Sequence, residues 1–280
     1  MSVHDDEPRR GEAIRAIALF LVILTIEVLR LAITGGGAAL GERVINAAGA
    51  LFFYAAAHAA ALGWLASSSD MPRIRLAAYL AIGLYGVQVV LVYLETFFFQ
   101  GSLNFTTADL TLPSLAGIAT SIVSAGAAVL LFGGAEEIAP ETEPKKGVWR
   151  WAIRLTVVAV IYPVIYVFAG MLFVWTHSEA REFYNDVDMA FGTLLAIQVF
   201  RGYLWAAFSL FLIAGQRGSG WRIGLRLGFA LAVFVGALLF FPNEFMPPNI
   251  RLLHVMEIIN SHLVFGILAG LILAPLATRR

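Results

Sequence analysis

No cysteine occurs among the 280 residues, so disulfides, thiolate metal sites and thiol nucleophiles are all excluded. Charge is scarce as well. Only 14% of residues are Asp, Glu, Lys or Arg, the formal net charge is zero, and nothing in that balance points to a nucleic-acid partner. No His-Glu-x-x-His pattern is present, which leaves zinc-protease chemistry without support. What is abundant is hydrocarbon. The chain is 60% hydrophobic with a mean hydropathy of +0.81, outside the range of soluble globular proteins. Apolar runs of about twenty residues recur along the whole length, the mark of membrane-spanning helices. The opening "MSVHDDEPRRGEAIR" mixes both signs of charge, unlike a secretory leader. The apolar run from Ala16 to Thr34 is too long for a leader core, so a first membrane helix that is not cleaved is expected.

The breaks between runs fall at charge and Gly/Pro clusters. They predict an all-α, polytopic fold of eight transmembrane helices, at about 13–34, 44–66, 74–99, 113–134, 150–175, 189–214, 223–242 and 250–276. If the N-terminus is cytoplasmic, fourteen Arg and Lys residues fall on the inner side and only Arg43, Arg181 and Arg251 on the outer. That asymmetry predicts both termini in the cytoplasm, and the expected location is the bacterial inner membrane. The hydrophilic stretch "AEEIAPETEPKKG" reads as a flexible linker. It divides the chain into an N-terminal four-helix half (1–134), a linker (135–149) and a C-terminal four-helix half (150–280). Faint repetition links the halves. Arg73-Ile and Arg222-Ile each open a span and are each followed 22 residues later by a glutamate, Glu95 and Glu244. Four helices per half would make the repeats parallel.

Counting along each helix from its inner boundary places Glu27, Arg30, His58, Gln88, Arg201 and His262 roughly 18–22 Å deep, and Gln198, Glu244, Glu257 and Glu95 at roughly 27–30 Å. The inner third of the membrane carries almost no ionisable side chain and the outer half carries nearly all of them. Such residues face a bundle interior or a water-filled cavity.

The stretch "MPPNIRLLHVMEIINSH" concentrates this polarity. At helical phase, Leu252, Met256, Ile259 and Leu263 form one apolar stripe suited to lipid, and Arg251, His254, Glu257, Ser261 and His262 take the opposite side. An outward-facing cavity is expected there, shared with Arg30 and Arg201. Glu27 and Arg30, one turn apart, form either a structural ion pair or a proton acceptor tuned by a cation. Arg201 has no acidic residue in its own helix, so with Gln198 one turn away it calls for Glu27, Glu257, backbone carbonyls or a ligand anion, which a planar guanidinium suits. His254 and Glu257, spaced i, i+3, form a candidate proton relay or general base with His262. A metal shared by His254 and His262 is disfavoured, because eight residues put them about 12 Å apart along the axis. The glycine pairs Gly224/Gly228 and Gly266/Gly270 fit close helix packing. The acidic, aromatic loop "THSEAREFYNDVDM" is a candidate lid, or an ordinary solvated loop.

Three functions fit these residues. The first is a membrane carrier or binding protein for a small anionic solute or lipid headgroup, with Arg30, Arg201, Arg251, Gln198 and Glu27 contacting the substrate and His254, Glu257 and His262 coupling protons; it needs no cofactor. The second is an intramembrane enzyme acting on a lipid or lipid-linked substrate at the outer leaflet. The third is a haem-binding or sensory protein, since His58 and His262 lie at similar depth on different helices, as bis-histidine ligation requires.

Overall fold

Inside a bilayer the backbone finds no water, so each apolar run has to close its own hydrogen bonds as helix. In the computed structural model eight helices are long and apolar enough to cross a membrane: α1 (Gly11–Thr34), α2 (Ala48–Ser67), α3 (Arg73–Phe97), α4 (Leu110–Phe132), α5 (Val148–Val174), α6 (Gly192–Ile213), α7 (Gly220–Phe240) and α8 (Pro248–Leu276). The structure describes residues 6–34, 40–98, 107–133, 147–185, 191–242 and 246–277. Among them there is no strand, only an isolated antiparallel bridge between Ser69 and Gln216. The eight expected spans are all present, with ends shifted by a few residues. Glu244 and most of the expected linker lie outside the described residues, and Val148 and Trp149 already belong to α5. Two short helices, Leu40–Asn46 and Ser178–Phe183, lie between spans. The protein is a multi-pass membrane protein, and its environment is a lipid bilayer.

The packing has a regular plan. Within the first half α1 packs on α2 and α4, and α4 also meets α2 and α3. Within the second half α5 packs on α6 and α8, and α8 also meets α6 and α7. Between halves the main contacts are α2 on α7 and α3 on α6. Exchanging the halves leaves this pattern unchanged. The loops that follow α2 and α6 meet each other. The Asp70 N–H donates to the Gly215 carbonyl at 2.9 Å and the Arg217 N–H to the Ser68 carbonyl at 2.8 Å, with an Arg217–Asp70 ion pair at 3.2 Å alongside.

Basic residues gather at that same end. Arg226 donates to the Arg217 carbonyl at 2.6 Å, Arg73 donates to the Gly133 carbonyl at 3.2 Å, and Arg154 donates to the Ile272 carbonyl.

Backbone approach decides two of the contacts. Where α7 and α8 cross, a Cβ on Gly266 would lie 2.4 Å from the Gly228 Cα, and one on Gly270 would lie 2.4 Å from the Gly224 Cα, so the four glycines identified by their spacing form the crossing itself. Where α5 meets α6, a Cβ on Gly202 would come 2.2 Å from the Ala159 carbonyl oxygen. Pro163 lies inside α5, four residues beyond Ala159, and a proline has no N–H to return to that carbonyl.

Two of the long helices contain a π turn, Gly86–Val90 in α3 and Gly170–Val174 in α5. Such turns add a residue to the helix, change the direction of the side chains beyond them, and recur at functional sites.

On α8 the outward stripe differs from the expected one. Leu252 and Met256 are exposed, and the stripe continues through Asn260, Val264, Leu268 and Leu271. Ile259 and Leu263 instead lie against Gly236 and Gly228 of α7. Asn260 meets the outside by donating its amide to the Met256 carbonyl at 2.7 Å.

Candidate functional site

The ionisable residues expected to share one site fall into two networks, and among the described residues no hydrogen bond or ion pair joins the one holding Arg30 to the one holding Arg201.

The first network belongs to α1, α2, α3 and α7. Arg30 Nε donates to Glu27 at 2.5 Å, and its guanidinium lies 5.8 Å from the Phe241 ring centroid. One turn apart on α2, the Tyr54 and His58 rings stack at 3.7 Å. The His58 Nδ1 is 2.9 Å from the Tyr54 carbonyl. A carbonyl only accepts, so Nδ1 carries the proton and Nε2 is the acceptor. Gln88, placed within the first π turn, brings its amide nitrogen to 2.7 Å from that Nε2, 2.9 Å from the Tyr54 hydroxyl and 2.9 Å from the Phe234 carbonyl. The nitrogen His58 would offer to haem iron is therefore already taken. No buried polar atom of Glu27, Arg30, Tyr54, His58 or Gln88 lacks a partner, and a satisfied network of this kind has a structural role without any ligand.

The second network belongs to α5, α6 and α8, with one contribution from α3. Arg201 is 3% exposed and its partner is Glu95, not Glu27 or Glu257. Nη1 meets Glu95 Oε1 at 2.7 Å and Nη2 meets Oε2 at 2.8 Å, the two-pronged arrangement that guanidinium and carboxylate share. Nη1 also donates to the Gln198 side-chain oxygen at 2.8 Å, and the Leu91 carbonyl lies 3.5 Å from Nη2. The Tyr162 ring sits 5.6 Å from the guanidinium carbon.

Across from it, His254 Nδ1 lies 2.6 Å from Glu257 and His254 Nε2 lies 2.6 Å from the Tyr184 hydroxyl. Burial and the nearby Glu257 carboxylate hold the Tyr184 phenol above its usual range. The phenol therefore keeps its proton and can donate to His254 Nε2, and the Glu257 carboxylate accepts from His254 Nδ1. The result is a hydroxyl–imidazole–carboxylate chain from the segment after the short helix Ser178–Phe183 to a carboxylate inside the bundle. Glu257 lies against the second π turn, 3.4 Å from where a Gly170 Cβ would stand. Tyr162, Tyr166 and Tyr184 are each within electrostatic range of both Glu95 and Glu257, so the two carboxylates face a common set of phenols.

Unlike the first network, this one is incomplete. Gln198 Nε2, Arg201 Nε and His262 Nε2 are buried and have no hydrogen-bond partner among the described residues, while the Trp205 indole is within hydrogen-bond reach of the Tyr162 hydroxyl. His262 Nδ1 lies 2.9 Å from the Ile258 carbonyl, which leaves the His262 Nε2 as an acceptor, and its ring stands 4.7 Å from Trp205. Gln198, Arg201 and Trp205 follow one face of α6 at i, i+3, i+7. That face presents two unpaired donors, Gln198 Nε2 and Arg201 Nε, with the unpaired His262 acceptor opposite. Arg251, half-exposed at the start of α8, stands outside both networks.

Depth counting sets Glu95 and Gln198 level but does not pair the glutamate with Arg201. The sequence marks Tyr184 only as part of a candidate lid and does not single out Trp205. The repeated aromatic-polar character of "IQVFRGYLW" was the available signal for Trp205. Among the described residues there is no group of three or more His, Asp or Glu side chains placed to hold a metal ion. The chain matches no protein-family model, no curated protein and no solved structure, so function has to be argued from these two networks.

Proposed function

We propose that the protein is a membrane carrier or binding protein for a small oxyanion, free in solution or borne on a lipid headgroup, with its site in the second network and proton handling through Tyr184, His254 and Glu257. The observation that carries this reading is the surplus of donors. The guanidinium's own Nε and the Gln198 amide beside it are buried without acceptors, each such group costs roughly 1–3 kcal/mol when left unmade, and a ligand rich in oxygen would satisfy both at once. The contrast with the satisfied first network supports assigning Glu27, Arg30 and His58 to structure and Gln198, Arg201 and His262 to the site.

Glu257→Gln tests the proton role. The amide keeps the size and the hydrogen bond but removes the charge and the exchangeable proton. Proteoliposomes bearing the variant should show no pH-driven uptake of phosphate or succinate, while the protein inserts and melts close to wild type. Wild-type uptake accompanied by a lowered melting temperature would reduce Glu257 to a structural partner of His254. A second reading, an intramembrane enzyme with His254 as general base, draws on the same hydroxyl–imidazole–carboxylate chain. Release of product from a lipid-linked substrate, with no solute accumulated, would favour it.

In the same reading the end held by the Ser69–Gln216 bridge is cytoplasmic, because the basic residues gather there, and the two halves are parallel repeats, because their contact pattern survives exchange. Reporter fusions after Glu141 and at the C-terminus should then be cytoplasmic and one at Asn104 external. An external signal at Glu141 would overturn the orientation and the eight-span order together.

A further inference from the structure

We infer that Glu95 is a tethered counter-anion, which the solute displaces from Arg201 and which takes up a proton as it leaves. This rests on the anion-site reading above and goes beyond it by specifying how binding is coupled to protons.

The geometry of the pair carries the inference. The forked contact of Glu95 on Arg201 is the contact a bound carboxylate or phosphate would make. The two partners are unequal: the Arg201 side chain is 4% exposed and that of Glu95 is 30% exposed. The cation is fixed from its own helix by Gln198, so it stays in place if Glu95 departs. The anion belongs to a different helix and stands toward the outside of the pair. Glu95 also lies beyond the π turn Gly86–Val90, where a helix can change register by one residue and carry everything after it around by about 100°. Its two oxygens leave Arg201 Nε and Gln198 Nε2 without acceptors, which an oxyanion with three or four oxygens can satisfy.

Charge balance then fixes the proton. Arg201 with Glu95 is neutral. Arg201 with a solute anion is also neutral, but only if the displaced carboxylate carries no charge. The groups around Glu95 are Arg201 of α6, Tyr162 and Tyr166 of α5, Tyr184, and Glu257 of α8, which faces the same phenols and is itself bound to His254; among the described residues Arg201 is the one permanent cation in the set. A second unpaired carboxylate in this setting is costly. A proton taken from water onto Glu95 as the anion enters restores balance, so a monoanion crosses with one proton and no net charge.

The test is calorimetry on the purified full chain with acetate and methanesulfonate as probes, monoanions that do not themselves titrate near neutrality, in buffers of different ionisation heat. Mixed micelles containing phosphatidic acid form a separate arm that distinguishes a headgroup from a free anion. The wild type should take up about one proton per anion bound, with affinity falling by up to about tenfold per pH unit as pH rises. Glu95→Gln should bind at least as tightly as wild type, with no proton uptake and no fall with pH. Its melting temperature shows whether it is folded. If it is not, the proton count of the wild type decides. Binding without proton uptake in the wild type, or uptake that persists in Glu95→Gln, overturns the role of Glu95 and leaves the anion site standing. Absence of binding to every probe at every pH overturns both.

Discussion

Arg201→Leu should abolish anion uptake and destabilise the protein by about 3 kcal/mol. Removing one member of a buried pair leaves the other charged and uncompensated, at a typical cost of about 3–5 kcal/mol, and the exposed side of Glu95 favours the lower figure. The Gln198 oxygen would lose its donor as well. The double variant Glu95→Leu/Arg201→Leu separates stability from function. Two apolar residues of similar volume replace the pair without a stranded charge, so most of the melting temperature should return. Uptake should not. A double variant that stays as unstable as the single would mean that Arg201 is held mainly by Gln198 and the Leu91 carbonyl, and that the Glu95 contact contributes little.

The second large effect is expected at the α7–α8 crossing. Gly270→Ala places a methyl group 2.4 Å from the Gly224 Cα and 2.8 Å from its nitrogen. Backbone atoms cannot step aside as a side chain can, so the helices have to separate. Overpacking of this kind costs about 1–3 kcal/mol, and this site belongs at the top of that range because adjoining contacts are lost with it. Gly126→Ala in α4 is the matched control. Its Cβ would meet nothing within 4 Å, and alanine is the better helix former by up to about 1 kcal/mol, so it should melt no lower than wild type. Equal melting of Gly270→Ala and Gly126→Ala in detergent would refute the close crossing.

What the sequence made legible follows from what hydrocarbon demands. A lipid core forces each span to declare itself by length and apolarity, so all eight helices were readable. The Gly224/Gly228 and Gly266/Gly270 spacing was readable because a crossing needs small residues one turn apart. The depth of Glu95 was readable by counting, but its partner was not. Depth fixes one coordinate, and pairing with Arg201 depends on how α3 and α6 are rotated toward each other. The π turn at Gly86–Val90, which no local pattern announces, changes that rotation. The same limit explains Arg30, which shares a depth with Arg201 yet belongs to another network. On α8 the phase argument gave Leu252 and Met256 correctly. At Ile259 and Leu263 it is only partly right, because both stand at the contact with α7 and are partly rather than fully exposed.

The paired loops after α2 and α6 have a mechanical consequence. They tie the two halves at one end with backbone hydrogen bonds in both directions, while Glu95 and Arg201 meet toward the other. A fulcrum is thereby set at the basic end. Since α3 runs about 33 Å from Arg73 to Glu95, a rocking of about 5° about that fulcrum separates the far ends by about 3 Å. Such a displacement is enough to part an ion pair, and it barely stretches the bridge between Ser69 and Gln216.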